Sequence, residues 1–207
     1  MSTNELAGNE LVGKVAVVTG AASGIGMSIA LHAAQIEMQV VVSDIEEGAL
    51  QVGVKSLHQI SKSVVGIPAD VADLESVGNL SRRVESAFGP PWLVVNAGVS
   101  IRGRAWQLEH SDWEWVVEVN LWGVIHGLET FLPGMVERGD GYVVNTASMA
   151  GLVVAAQTGA AYAASKHAVI GLSEALYREL QTDHPESIGS VSRASGNEHR
   201  KRSPQSS

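Results

Sequence analysis

The chain has 207 residues, 45% of them hydrophobic and 17% charged, with a formal net charge of −8 and no cysteine. That length suits one domain with a sizeable core. The acidic balance argues against a nucleic-acid partner, and the lack of cysteine excludes disulfides and thiolate metal sites. Met1 to Glu10 is polar and acidic, and no apolar run approaches the roughly 20 residues needed to span a bilayer. A cytoplasmic protein without membrane contact is the expectation.

From Lys14 onward, short apolar runs alternate with helical patterns. Val15 to Thr19 reads as a buried strand, and Ile25 to Gln35 as a helix with Ile25, Ile29 and Ala33 on one face, continued by Ile36. Val40 to Ser43 is a second strand, Gly48 to Ile60 a second helix and Val64 to Pro68 a third strand. A helix over Leu74 to Phe88 ends at Gly89-Pro90-Pro91, and Leu93 to Asn96 forms a fourth strand. Ser111 opens a long helix, with Glu114 completing a capping box, that runs toward Pro133-Gly134. Tyr142 to Thr146 is a fifth strand, and Ala160 to Leu180 a final helix. Continuous apolar strands alternating with helices predict a parallel sheet covered on both faces, with right-handed crossovers.

The first strand ends in Thr19-Gly-Ala-Ala-Ser-Gly-Ile-Gly26 and leads straight into a helix. Gly20, Gly24 and Gly26 fall where a backbone must turn tightly and approach a ligand. The helix N-terminus behind Ser23 and Ile25 offers N–H groups and a positive dipole end to a pyrophosphate. An ordinary Gly-rich turn is the alternative. Asp44, at the end of the second strand, is placed to accept hydrogen bonds from ribose hydroxyls and to repel a 2′-phosphate, which favours NAD over NADP. No Lys or Arg stands in the glycine turn or directly after Asp44. Asp44 with Glu47 also fits a simple N-cap box for the second helix.

Tyr162 and Lys166 are four residues apart on a helix and so share a face. A free tyrosine loses its proton near pH 10, and a neighbouring ammonium is the simplest means of stabilising a phenolate. Ser148, just after the fifth strand, is a neutral donor for a substrate oxygen. A surface Tyr–Lys pair is the alternative. The histidines are scattered without metal-ligand spacing, and His167, beside Lys166, points away from it, so no metal site is expected. Trp106, Trp113, Trp115 and Trp122 read as packing or interface residues. Arg102 and Arg104, in the loop Val99 to Leu108, read as solvated rather than as contacts to an anionic substrate.

In Thr19 to Gly26, Asp70-Val71, Asn96-Ala97-Gly98, Asn120, Ser148 and Tyr162-Ala-Ala-Ser-Lys166, taken together and in this order, the chain resembles the short-chain dehydrogenase/reductase family over about residues 12 to 182. The resemblance implies a single Rossmann-type, doubly wound parallel domain that binds NAD(H) and moves a hydride between it and a small secondary alcohol or ketone. It implies that Tyr162 is the general acid/base, that Lys166 supports it and holds the nicotinamide ribose, and that Ser148 orients the substrate oxygen. It further implies that Asn120 holds a water in a proton relay and that Asp70 contacts the adenine, with Val71 beside it. Asn96, Ala97 and Gly98 would shape the sheet beside the cofactor. A homo-oligomer through the Trp113–Trp122 and Tyr162–Leu180 helices is also implied.

Two departures stand out. Family members turn with glycine between the first helix and the second strand, where this chain has Glu37-Met38, so a left-handed cap costs roughly 1 kcal/mol or more there. Members also continue past the last helix into a sixth strand, a substrate-covering segment and a seventh strand. Here Ser187-Ile188-Gly189 looks like the approach to the sixth strand, the apolar pattern then stops, and the Ser-rich, locally basic remainder contains Arg200-Lys201-Arg202. The expected organisation is a flexible N-terminus over 1–11, a cofactor-binding and catalytic domain over 12–186, and a disordered tail over 187–207. The last strands would be missing through truncation or a changed reading frame, and the fifth strand would be an exposed edge. A cofactor-binding but inactive remnant is the alternative function.

Overall fold

The computed structural model describes residues 10–95, 97–155, 158–183 and 188–193. Six strands, β1 (Val15–Thr19), β2 (Gln39–Ser43), β3 (Val64–Gly66), β4 (Leu93–Val95), β5 (Gly141–Thr146) and β6 (Ile188–Arg193), form one parallel sheet in the order β3-β2-β1-β4-β5-β6. Side chains of successive strand residues point to opposite faces, so a Val-rich strand feeds two cores at once. Ala16, Val18, Val40 and Val42 pack under α1 (Gly24–Gln35) and α2 (Glu47–Leu57), meeting Ala30, Ala33, Leu50 and Leu57. Val17, Val41 and Val143 pack under α3 (Leu74–Phe88) and α5 (Gly123–Arg138), meeting Leu80, Val84, Phe131 and Met135. The helix α6 (Ala160–Asp183) seats Val169 against Val124 and Ala147 beside β5. Strand order reverses between β1 and β4, and a crevice at the carboxyl ends of the strands opens at such a reversal.

Three expectations are corrected. The long helix is not one rod: α4 (His110–Val117) passes through a π-helical turn, Glu118–Trp122, into α5, which continues through Pro133 to Arg138. Pro133 and Glu129, whose carbonyl loses its usual donor, both lie on the exposed side of the helix. The cap of α4 is Glu109 with Asp112, each side chain accepting from the other's backbone N–H, instead of Ser111 with Glu114. A carboxylate caps as a hydroxyl does and also suits the positive end of the helix. Glu114 is engaged by His110 at 3.2 Å.

The third correction is at the C-terminus. Ile188–Arg193 lies in parallel register with Gly141–Thr146, so β5 is an internal strand and β6 the edge. Strand pairing is made by the backbone, and an edge tolerates a sequence as polar as Ile-Gly-Ser-Val-Ser-Arg. The domain therefore reaches at least Arg193; the rest of the expected tail, the first nine residues and Asn96 lie outside the described residues.

Glu37 takes the left-handed conformation that its position demands, with φ of 60°. Its N–H bonds to the Ala34 carbonyl at 3.2 Å, and the Met38 N–H to the Ala33 carbonyl at 3.0 Å. This is a complete Schellman closure in which Met38 is buried. Glu37→Gly is accordingly expected to stabilise the chain by ~1 kcal/mol, raising Tm by roughly 2–4 °C. An unchanged or lower melting temperature would show that the strain is relieved elsewhere.

Candidate active site

The glycine turn lies at the carboxyl end of β1. Gly20 and Gly24 have φ of 64° and 56°, a region that glycine enters freely. A Cβ on Gly26 would collide with the Gly20 carbonyl, so the turn closes on itself only because that atom is absent. A Cβ on Gly24 would meet nothing within 4 Å, and the first turn of α1 carries no acidic residue. Thus the N-terminus of α1 opens onto free space with its dipole uncompensated, the arrangement that receives a phosphate. Ser23 is the N-cap residue there, without a side-chain cap bond, and Ile25 is exposed.

Asp44 does not build the expected N-cap box with Glu47; the N-cap residue of α2 is Glu46. One Asp44 oxygen accepts from Ala22 N at 2.9 Å and the other from Glu46 N at 3.1 Å. The carboxylate therefore stitches the glycine turn to the end of β2, and each oxygen keeps a lone pair for a further donor. Asp70 Oδ1 likewise accepts from Ala72 N at 2.9 Å. Val71 is held by the His126 ring at its carbonyl and by contact with Gly123. Ala97 N donates to Thr19 Oγ1 at 2.7 Å, tying the loop after β4 to the turn after β1.

Tyr162 and Lys166 do share a face, the ammonium lying 5.8 Å from the centre of the phenol ring. Lys166 is buried, and its Nζ donates to the Thr146 carbonyl at the end of β5 at 2.6 Å. Burial pushes its pKa down to about 8, so it still carries its charge at neutral pH. A Cβ on Gly98 would stand 3.1 Å from that Nζ and 3.5 Å from Asn120 Oδ1, which puts Gly98, Lys166 and Asn120 side by side.

Asn120 sits in the π-helical turn, fully buried. Its Oδ1 accepts from Val99 N at 2.7 Å, and its Nδ2 donates to Val99 O at 2.8 Å and to Ser165 Oγ at 3.0 Å. Both amide hydrogens are spent, so a water reaches this residue only through the other Oδ1 lone pair or the main chain. Ser165 in turn donates to the Tyr162 carbonyl at 2.9 Å. Sequence reasoning passed over Ser165 and Thr19; Ser165 stands inside the Tyr162–Lys166 stretch, which was the available signal.

Ser148 caps a short 3₁₀ turn by accepting from Ala150 N at 3.2 Å, which leaves its O–H free to donate. With Tyr162 it lines a cleft of about 320 Å³ that also includes Ser100, Arg102, Met149 and Val153. His167 faces away and bonds its own helix at the Ala163 carbonyl. Among the described residues no group of three His, Cys, Asp or Glu side chains converges as a metal site, and no helix is long and apolar enough to cross a membrane.

The short chain dehydrogenase family model matches residues 14–188. The chain belongs to the short chain dehydrogenase family. A solved family structure from Burkholderia phymatum, a short chain dehydrogenase/reductase in complex with NAD, is 40% identical with a TM-score of 0.84, covering 88% of this chain and 65% of that one. LigO from Sphingobium sp. strain SYK-6, in its apo form, is 35% identical with a TM-score of 0.82, covering 90% and 69%. Among curated relatives, the CLA biosynthesis dehydrogenase/reductase of Lactiplantibacillus plantarum is 35% identical over 81% of this chain. The C alpha-dehydrogenase of Sphingobium sp. is 36% identical over 81%. This chain spans 59% and 56% of the lengths of those two relatives.

The lowered pKa of Lys166 ties folding stability to alkaline pH. An unfolded lysine holds its proton to about pH 10.4, so between pH 8 and that value the unfolded chain binds the extra proton and folding gains stability as pH rises. Relative to Lys166→Met, the wild type is expected to gain ~2.5 kcal/mol between pH 7 and 10, read from melting temperatures. A difference that stays flat over that range would mean the ammonium is not buried.

Proposed function

We propose that the chain is an oxidoreductase acting on a secondary alcohol or ketone with NAD(H). The observation that carries this reading is the convergence of Ser148 and Tyr162 on one cleft, with the buried Lys166 ammonium directly behind the phenol.

The residues present fit a dinucleotide. The open Gly24 face and the N-terminus of α1 suit the pyrophosphate, and Asp44, with Ile45-Glu46-Glu47 after it and no cation, suits two ribose hydroxyls better than a 2′-phosphate. Asp70 and Val71 flank the adenine end; Gly98 leaves room beside Lys166 at the nicotinamide ribose, with Asn96 and Ala97 before it. When bound, the cofactor supplies the hydride donor or acceptor. In reduction, Ser148 Oγ donates a hydrogen bond to the carbonyl oxygen, and the Tyr162 hydroxyl delivers a proton to that oxygen as it becomes an alcohol. In oxidation, the same hydroxyl oxygen takes the proton back. The Lys166 charge would stabilise the phenolate left on Tyr162, and its remaining N–H donors would hold the nicotinamide ribose of a bound cofactor. Asn120, pinned by Val99 and Ser165, holds the Tyr162 turn against the loop after β4 and adjoins the relay path. Trp115 and Trp122, about half exposed on α4 and the π-helical turn, support a homo-oligomer through that helix and α6.

NADH at about 100 times its Kd is expected to raise Tm by roughly 5–11 °C, with NADPH well below that. Tyr162→Phe should keep that NADH shift and lose turnover of secondary alcohols. Near-full activity in this variant would remove Tyr162 from the chemistry, and no shift with NADH would favour a chain that keeps the fold without the cofactor.

A further inference from the structure

Building on this reading, we infer that Arg102 is a substrate-binding residue and that the substrate is an oxo or hydroxy acid with an apolar chain, its carboxylate held by the Arg102 guanidinium. Arg102 is the one charged side chain among the described residues lining the cleft that holds Ser148 and Tyr162. No carboxylate lines that cleft, and among the described residues none lies within salt-bridge distance of the guanidinium. An arginine keeps its charge at any physiological pH and presents a planar fork that matches a carboxylate with two parallel hydrogen bonds.

The position of Arg102 is set by the fold. Gly159, three residues before Tyr162, presses against the loop after β4: a Cβ there would collide with the Ile101 carbonyl and stand 3.5 Å from the Arg102 Cα. The absence of that Cβ lets the loop backbone rest on the start of α6. The base of the Arg102 side chain is thereby registered to the helix that carries the phenol. Arg104, two residues on in the same loop, behaves differently. Its guanidinium lies over the Trp106 ring, 5.5 Å from the centroid, and it does not line the cleft. Met149 and Val153 line the same cleft and give it an apolar wall suited to a hydrocarbon chain.

The test uses methyl ketones carrying a terminal carboxylate, from 4-oxopentanoate through 6-oxoheptanoate and 8-oxononanoate to 10-oxoundecanoate, each against its primary amide. Affinities are measured by calorimetry on the full chain, with and without NADH. At the favoured length the acid should bind roughly 10- to 100-fold tighter than its amide, the range of a charge-assisted pair. Arg102→Gln should bring acid and amide to within about threefold, while Arg104→Gln keeps the preference. Equal affinity of acid and amide at every length, no binding of any of them, or a preference that survives Arg102→Gln would overturn the assignment. Failure of the oxidoreductase reading has a separate signature: no NADH shift and no turnover, with the carboxylate preference and its loss in Arg102→Gln both intact.

Discussion

A buried ammonium ion, with no carboxylate partner among the described residues, governs the geometry of this site. Lys166 gives one of its donors to the Thr146 carbonyl at the end of β5 and lies 5.8 Å from the centre of the Tyr162 ring. Removing a cation from water is costly, and here the lowered pKa is the visible trace of that cost. The arrangement holds because neighbouring parts yield space and dipoles to it. Gly98 lacks the Cβ that would crowd the ammonium, and a strand terminus offers its carbonyl. What a sheet of this topology provides at its carboxyl ends, unpaired carbonyl groups and a crevice, is what a buried cation and a bound dinucleotide both need.

The two halves of the crevice are built on different principles. The half proposed to take the cofactor is almost all backbone: a turn closed by the Gly26–Gly20 approach, the open end of α1, and Asp44 bridging Ala22 and Glu46. Side chains there mostly brace the main chain, as Thr19 does for Ala97. The half proposed to react is made of side chains from separate segments, namely Ser148 after β5, Tyr162 and Lys166 on α6, and Asn120 in the π-helical turn. A π-helical turn widens the helix by one residue, and such turns recur where a helix must deliver a side chain out of its normal phase. In this chain it delivers a fully buried amide to Val99 and Ser165 at once.

What could be read from the sequence follows from how local each signal is. Tyr162 and Lys166 are a period apart on a helix, so their shared face needs no tertiary knowledge; the glycine turn is marked by the strand before it and the helix after it. Valine runs gave the strands and both cores. The strained cap at Glu37 was also legible, because a helix must end before Gln39 and no glycine stands there. The role of Asn120 was not legible in detail, since its partners come from residues 99 and 165 and meet only in the folded chain. The strand β6 escaped because Ile188–Arg193 has too few apolar residues to show a period, and its place depends on the backbone of β5. The α4 cap was missed by looking for a hydroxyl where a carboxylate serves.

The loop after β4 links these observations. Val99 holds Asn120 through both its N–H and its carbonyl, and Asn120 holds the Tyr162 turn through Ser165. Two residues further on, Ile101 rests on Gly159 at the start of the same helix. The loop is therefore clamped to α6 on both sides of the phenol, once through a buried amide and once through a backbone contact that glycine alone permits. A segment fixed in this way cannot shift relative to Tyr162 without breaking hydrogen bonds of the fully buried Asn120 amide, and an unsatisfied buried group costs about 1–3 kcal/mol. Loops that carry specificity are usually the mobile parts of a fold. This one is built against the helix that carries Tyr162, and it sets the distance between whatever it binds and the Tyr162 hydroxyl, the proton donor of the proposed reaction.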